Sequence, residues 1–125
     1  MSDNNTITVE SYKAGSTIFR EGDLHSHFYI IKAGTVQIFT TDANQKKINI
    51  YQIGEGESFG EFALLDKMPR SASALAVTDV ELLKVSEKGY EKLLTELPIW
   101  ASSMLKSFTN RLRVMNKKIR DLQNN

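Results

Sequence analysis

The sequence predicts a mainly β domain, a β-roll or jelly roll, followed by a short helix and then a long C-terminal helix. Three observations carry that expectation. Between Ile7 and Ser86, short runs of β-branched and aromatic residues alternate with glycine-bearing turns at the spacing of an all-β sandwich or barrel. After Ser86, Tyr90, Leu93, Leu94 and Leu97 fall at helical spacing. Beyond Pro98, the apolar residues Leu105, Phe108, Leu112, Met115, Ile119 and Leu122 recur at alternating intervals of three and four, the rhythm of a coiled-coil seam.

Each element has its own local warrant. "TITVESYK" reads as a strand, and "YKAGSTIFREGD" holds another between Gly15 and Gly22. "FYIIKAGTVQIFT" places two strands around Ala33-Gly34, where the glycine would supply the positive φ of a hairpin turn. "KKINIYQIGEGES" is a strand ending at Gly54 and Gly56, and "ASALAVTDVELLKVS" is two strands joined around Thr78-Asp79. Such a sheet must have its edges closed or covered. Ser86 suits the N-cap of the first helix, with Gly89 as its weak point. Pro98 suits the first turn of the second helix, which runs to about Leu122 and is then roughly 36 Å long. Packing on its own β-domain explains that helix up to Leu112, and a partner helix is expected beyond. The division that follows is residues 1–97 for the β-roll with its short helix and 98–125 for a dimerisation or lid helix.

Bulk properties narrow the class of protein. A chain of 125 residues is long enough for one domain with a real core. With 41% apolar and 25% charged residues, neither general disorder nor a fibrous structure is indicated. No apolar run approaches the roughly 18 residues of a membrane span, and "MSDNNTITVE" lacks a signal pattern, so a soluble, cytoplasmic protein is expected. The absence of cysteine removes disulfides, thiolate metal sites and cysteine nucleophiles together. A net charge of +1 hides an uneven distribution, because from Met104 onward six Lys or Arg stand against Asp121 alone. That basic tail is either a solvated helix face or a contact for an acidic partner or nucleic acid.

The stretch "FGEFALLDKMPRSAS", Phe59 to Ser73, carries the chemistry. If Gly60 lets the backbone approach a ligand and Glu61 to Leu65 form one helical turn, the free N–H groups opening that turn make an anion site. Arg70 would complete it with a planar fork matched to phosphate, Ser71 adds a hydroxyl and Ala72 leaves room. A carboxylate repels phosphate but accepts from hydroxyls, so a ligand with a sugar hydroxyl beside an anionic phosphate satisfies Glu61 and Arg70 together. The plain alternative is an exposed Glu61–Arg70 ion pair worth about 0–1 kcal/mol. No P-loop or dinucleotide glycine fingerprint is present, so triphosphate hydrolysis and nicotinamide chemistry have no support.

"AGSTIFREGD", "FYIIKAGTVQIF", "GEGESFGEFALLDKMPRSASALA" and "VELLKVSEKGYEKLLTELP", in that order, resemble the cyclic nucleotide-binding domain family from Ala14 to about Pro98. The resemblance implies a non-catalytic sensor with a phosphate-binding cassette. Glu61 would take the ribose 2′-hydroxyl and Arg70 the cyclic phosphate. Phe59, Gly60, Phe62 and Ala63 would supply close contacts, and Ser71 and Ala72 the second side of the phosphate. The implied ligand is cyclic AMP, with cyclic GMP as the lesser choice: threonine at the Ser71 position goes with guanine, alanine with adenine, and serine leaves the choice open. "NRLRVMNKKIRDLQ" is similar to the dimerisation helix of the catabolite activator group, which implies a homodimer. Where that group has a Thr-Ser pair on adenine, this chain has Met115-Asn116, and Asn116 would meet the base. Those transcription factors continue into a helix-turn-helix, whereas this sequence ends at Asn125.

Other readings compete on specific residues. The pair His25 and His27 suggests a cupin-like metal enzyme, but the sequence holds no third histidine and no carboxylate at a useful distance after the pair. Ser/His/Asp catalysis has no local motif. Trp100 is expected to be a core residue or a cover for a base. A structural or interaction module of the same fold that binds no nucleotide is the remaining alternative.

Overall fold

The computed structural model of the chain describes residues 7–24, 26–61 and 69–123, with backbone only at 116, 120 and 123. The described strands are β1 (Ile7–Tyr12), β2 (Thr17–Phe19), β3 (Phe28–Ala33), β4 (Val36–Thr41), β5 (Lys47–Ile53), β6 (Ser58–Phe59), β7 (Ser73–Ala76) and β8 (Val80–Val85). Two helices follow, α1 (Glu87–Glu96) and α2 (Ile99–Gln123). The strands form two four-stranded antiparallel sheets, ordered β1-β8-β3-β6 and β2-β7-β4-β5. This is the β-roll with C-terminal helices expected from the residue pattern.

Alternation along the strands puts one apolar set between the sheets. Ile31, Leu82 and Val80 from the first sheet meet Val36, Ala74 and Ala76 from the second, all of them buried. The alanines of β7 make room for rings at one end of the roll. There Phe19, Tyr29 and Phe59 lie with centroids 5.1–6.0 Å apart, and Tyr29 stacks on Phe59.

One expected turn is corrected. Ala33-Gly34 does not close a hairpin, because β3 and β4 lie in different sheets. The chain crosses between sheets there, directly against the second crossing from β7 to β8: the Val77 N–H donates to the Thr35 carbonyl at 2.9 Å, and the Thr35 N–H to the Thr78 hydroxyl at 3.1 Å. Gly34 has φ +102°, and a Cβ on it would lie 2.4 Å from the Asp79 carbonyl oxygen and 2.6 Å from Val80 Cγ1. Glycine is thus required by close approach of two corners as well as by the dihedral. Gly34→Ala should lower unfolding stability by at least about 2 kcal/mol in urea titration. A change within about 0.5 kcal/mol would show that the corners part without cost.

The β4–β5 hairpin turns through Asp42–Lys46 without glycine. Asp42 does the work instead, since its Oδ1 accepts from the Asn44 and Lys46 N–H groups at 2.8 and 2.9 Å, while Gln45 takes φ +67°. A short polar side chain mimicking a backbone turn explains why this reversal carries no glycine signal.

At the C-terminal end, Ser86 caps α1 as expected, accepting from the Gly89 N–H at 3.0 Å, with Glu87 in the first turn where the helix dipole favours an anion. Gly89 is buried, and Tyr90 meets Phe28 edge-on at 6.3 Å, so α1 lies on the first sheet. Pro98 stands just before the first residue of α2, its carbonyl accepting from the Ala101 and Ser102 N–H groups. Trp100 is 68% exposed, which corrects its placement in the core. No helix among the described residues is long and apolar enough to cross a membrane.

Candidate functional site

Arg70 is the organising residue. It follows Pro69 in a short irregular segment fixed on both sides by backbone: the Arg70 N–H donates to the Asp23 carbonyl and the Gly22 N–H to the Arg70 carbonyl, each at 2.8 Å. The residue is 4% exposed. Its guanidinium lies over the Phe19 ring, 4.1 Å from the centroid. Nη1 donates to the Gly60 carbonyl at 2.9 Å and Nη2 to the His27 carbonyl at 2.8 Å. Two neutral acceptors and an aromatic face hold the fork in one orientation while leaving its charge uncompensated by any carboxylate among these contacts. Burial pulls the Arg70 pKa below its ordinary value, with Tyr29 and Asp23 opposing. A guanidinium starts so high that it stays charged at neutral pH. Nε is buried with no hydrogen-bond partner among the described residues.

Gly60 explains itself in this setting. It has φ +84°, and a Cβ there would sit 2.9 Å from Arg70 Nη1. Any larger residue would push the guanidinium off its seat. Beside it, Glu61 is half-buried and accepts a hydrogen bond from the Ser58 hydroxyl. Glu61 and Arg70 form no ion pair among the described residues. The plain reading of the two as a surface pair therefore falls. They line one cleft instead.

That cleft has a volume of about 220 Å³ and also takes in Phe59, Gly60, Ser71 and Ala72. It is smaller than the roughly 300–1,000 Å³ of pockets that enclose a drug-sized ligand, so a ligand of that size keeps one side open. Ser71 is exposed at the rim and Ala72 half-buried. The arrangement offers a cation on the floor, a carboxylate beside it and apolar walls.

Sequence reasoning missed the opposite wall, formed by Phe19, Ile38, Ile50 and Tyr51. Consecutive strand residues normally face opposite ways, yet Ile50 and Tyr51 both line the cleft. The cause is a bulge: Ile38 pairs with Tyr51 and Phe39 with Asn49, leaving Ile50 as the extra residue. Both are 50% exposed, an unusual state for large apolar side chains on a strand. Burial raises the Tyr51 phenol pKa, and the negative charges of Glu61 and Glu57 add to the shift. Only the pairing register betrays this wall, and register is not visible in one sequence.

Among the remaining expected residues, Phe62 and Ala63 lie outside the described residues, as does His25 of the rejected metal pair. Asn116 lies on α2 with its side chain outside the description, and no described residue of α2 lines the cleft. Trp100 lines neither core nor cleft. No group of three or more His, Cys, Asp or Glu side chains able to hold a metal ion occurs among the described residues.

With this geometry in place, comparison with known proteins is decisive at the level of family. The model of the cyclic nucleotide-binding domain matches residues 9–96. The chain belongs to the cyclic nucleotide-binding domain family. It is 39% identical over 102 residues to the cyclic AMP receptor protein of Thermus thermophilus, covering 82% of this chain and 47% of that one. It is 31% identical over 104 residues to the cAMP-dependent protein kinase regulatory subunit of Dictyostelium discoideum, covering 83% and 32%. The chain thus spans less than half the length of these curated relatives. Among solved structures, the EAL enzyme Bd1971 in its half-site-occupied form superposes with a TM-score of 0.80 at 33% identity, covering 87% of this chain and 97% of that one. The β-roll of the family is the fold seen here.

Proposed function

We propose that this chain is a non-catalytic, cytoplasmic sensor that binds cyclic AMP, and cyclic GMP less well, and passes binding on through its C-terminal helices. One observation carries the reading: Arg70 is buried, oriented by two carbonyls and a ring, and has an Nε with no hydrogen-bond partner among the described residues, beside a carboxylate with which it forms no ion pair. A buried cation that forms no ion pair among the described residues suits an anion, and Glu61 next to it suits a hydroxyl. A cyclic nucleotide supplies both within one small ring system. The EAL enzyme Bd1971 has been solved in cAMP-bound and cGMP-bound forms, which supports a purine cyclic nucleotide and explains why both bases are kept.

In this reading Arg70 takes the cyclic phosphate, with Ser71 and Ala72 on its second side. Glu61 takes the ribose 2′-hydroxyl, and Phe59, Gly60, Phe62 and Ala63 give close contacts. The base lies toward Ile50 and Tyr51, where aromatic and apolar surface is already exposed for it. Asn116 reaches a purine edge when α2 covers the open side. Residues 1–97 then form the sensing unit and 98–125 the lid and dimerisation helix. The stripe of Phe108, Leu112, Met115, Ile119 and Leu122, all 42–68% exposed, supports a homodimer through α2.

Thermal unfolding against cyclic AMP, cyclic GMP and cyclic di-GMP tests the ligand class. At a hundred times Kd a ligand that binds only the folded state adds about 2.7 kcal/mol, and the melting temperature should rise by several degrees with cyclic AMP, less with cyclic GMP and not with cyclic di-GMP. A flat response to all three would favour an interaction module working through the α2 stripe alone.

A further inference from the structure

Gln37 is an odd occupant of its place. It lies inside its sheet, on β4 between β7 and β5, where it pairs with Leu75 on one side and Gln52 on the other. Its neighbours Val36 and Ile38 both belong to the core, so alternation turns Gln37 to the other face of the sheet. It is nevertheless only 7% exposed. A β-branched side chain suits such a position better than a flexible amide, and burying an amide is costly unless its hydrogen bonds are made.

The donors are satisfied, and by informative partners. Nε2 donates to the Ile38 carbonyl at 3.0 Å and to the Tyr51 carbonyl at 2.9 Å. Two carbonyl acceptors require the nitrogen end of the amide, which has two N–H groups to give. Ile38 and Tyr51 face each other across the ladder and are the last pair before Ile50 is left over, since the next pair is Phe39 with Asn49. One side chain therefore ties the two strands together at the border of the bulge.

The bulge decides what the cleft contains. In an unbulged ladder Phe39 would face Ile50, and Ile50 would share the side of the sheet that Phe39 takes, opposite to Ile38. Ile38 lines the cleft, so Ile50 would leave it. With the extra residue in place, Ile50 and Tyr51 both line it.

We propose that Gln37 is a positioning residue: its amide pins the β4–β5 bulge, and the pinned bulge keeps Ile50 and Tyr51 together as the wall against which a nucleotide base is held. Gln37 does not line the cleft and acts only through the backbone it holds. The inference deepens the functional reading and, for its effect on ligand, rests on it.

The test uses the full chain and two substitutions of similar length that remove the donors, Gln37→Met and Gln37→Glu. Without ligand, amide hydrogen exchange at residues 49–52 should quicken about two- to tenfold, the loss of an ordinary hydrogen bond, while β1 and β8 stay within about twofold of wild type. Unaltered exchange at 49–52 in both variants, or equal quickening in every strand, overturns the clamp. Calorimetry reads the consequence: cyclic AMP should bind about two- to tenfold more weakly to Gln37→Met, the range for a misplaced aromatic contact. In a chain already carrying Ile50→Ala and Tyr51→Ala, adding Gln37→Met should cost less than about twofold more, because the wall it positions is gone. A general loss of structure would not give that non-additivity. Equal losses in the two backgrounds, or full affinity in a variant whose β5 exchange has quickened, overturn the positioning role. If wild type takes up no nucleotide, the ligand assignment fails, and the exchange result still decides whether Gln37 holds the bulge.

Discussion

Arg70→Ala should weaken cyclic AMP binding by about 2–5 kcal/mol in calorimetry, the largest single loss expected for this chain. The magnitude follows from the surroundings. Taking away the guanidinium leaves the ligand phosphate buried against the Phe19 ring with no cation, and an unpaired charge in such a place costs far more than a surface contact gains. The same substitution also removes the hydrogen bonds that the Gly60 and His27 carbonyls accept from Nη1 and Nη2. Some loss of stability must therefore accompany the loss of affinity, and the melting temperature of the ligand-free variant has to be measured alongside. Arg70→Lys separates the two effects. Its ammonium keeps the charge but has no planar fork to satisfy two carbonyls and a phosphate together, so affinity should fall by an intermediate amount. Unchanged cyclic AMP affinity in a folded Arg70→Ala protein would dismiss the phosphate role.

Much of this architecture is written in local residue chemistry. The Ser86 cap, the helical rhythm after it and the glycine-punctuated strands each depend on neighbours in sequence, so they can be read before any fold is known. Non-local geometry is where the expectation departs. Ala33-Gly34 looks like a hairpin because glycine with positive φ suits one, yet the same dihedral serves a crossing between sheets, and only the contact with Asp79 and Val80 distinguishes them. The cleft divides in the same way. Gly60, Glu61, Arg70, Ser71 and Ala72 come from one stretch and its chemistry shows in their order. The seat of Arg70, made by Phe19 and the His27 carbonyl, comes from 51 and 43 residues upstream, and a carbonyl carries no residue signature at all. Ile50 and Tyr51 enter the wall through a one-residue bulge that shifts the pairing from Ile38–Tyr51 to Phe39–Asn49. A bulge changes which way a side chain faces without changing composition, which is why the opposite wall was invisible in the strand pattern.

Glu61→Ala should reduce cyclic AMP affinity by about 1.5–3 kcal/mol, the range for a hydrogen bond to a charged group, and should barely affect binding of the 2′-deoxy cyclic nucleotide. The argument turns on what the carboxylate can still accept. One of its oxygens receives the Ser58 hydroxyl, and that bond orients the group at the edge of the cleft. An ionised carboxylate has about four acceptor sites, so a ribose hydroxyl can be added without displacing Ser58. Repulsion between Glu61 and the ligand phosphate acts on both ligands equally and cancels when they are compared. The difference between the two penalties therefore isolates the 2′-hydroxyl contact, in the manner of a double-mutant cycle with one change made on the ligand. Glu61→Gln keeps a neutral acceptor and should fall between wild type and alanine for cyclic AMP only. An equal penalty for both ligands would assign Glu61 to holding the loop in place, with Ser58 as its partner, and leave the ribose to be recognised by other residues.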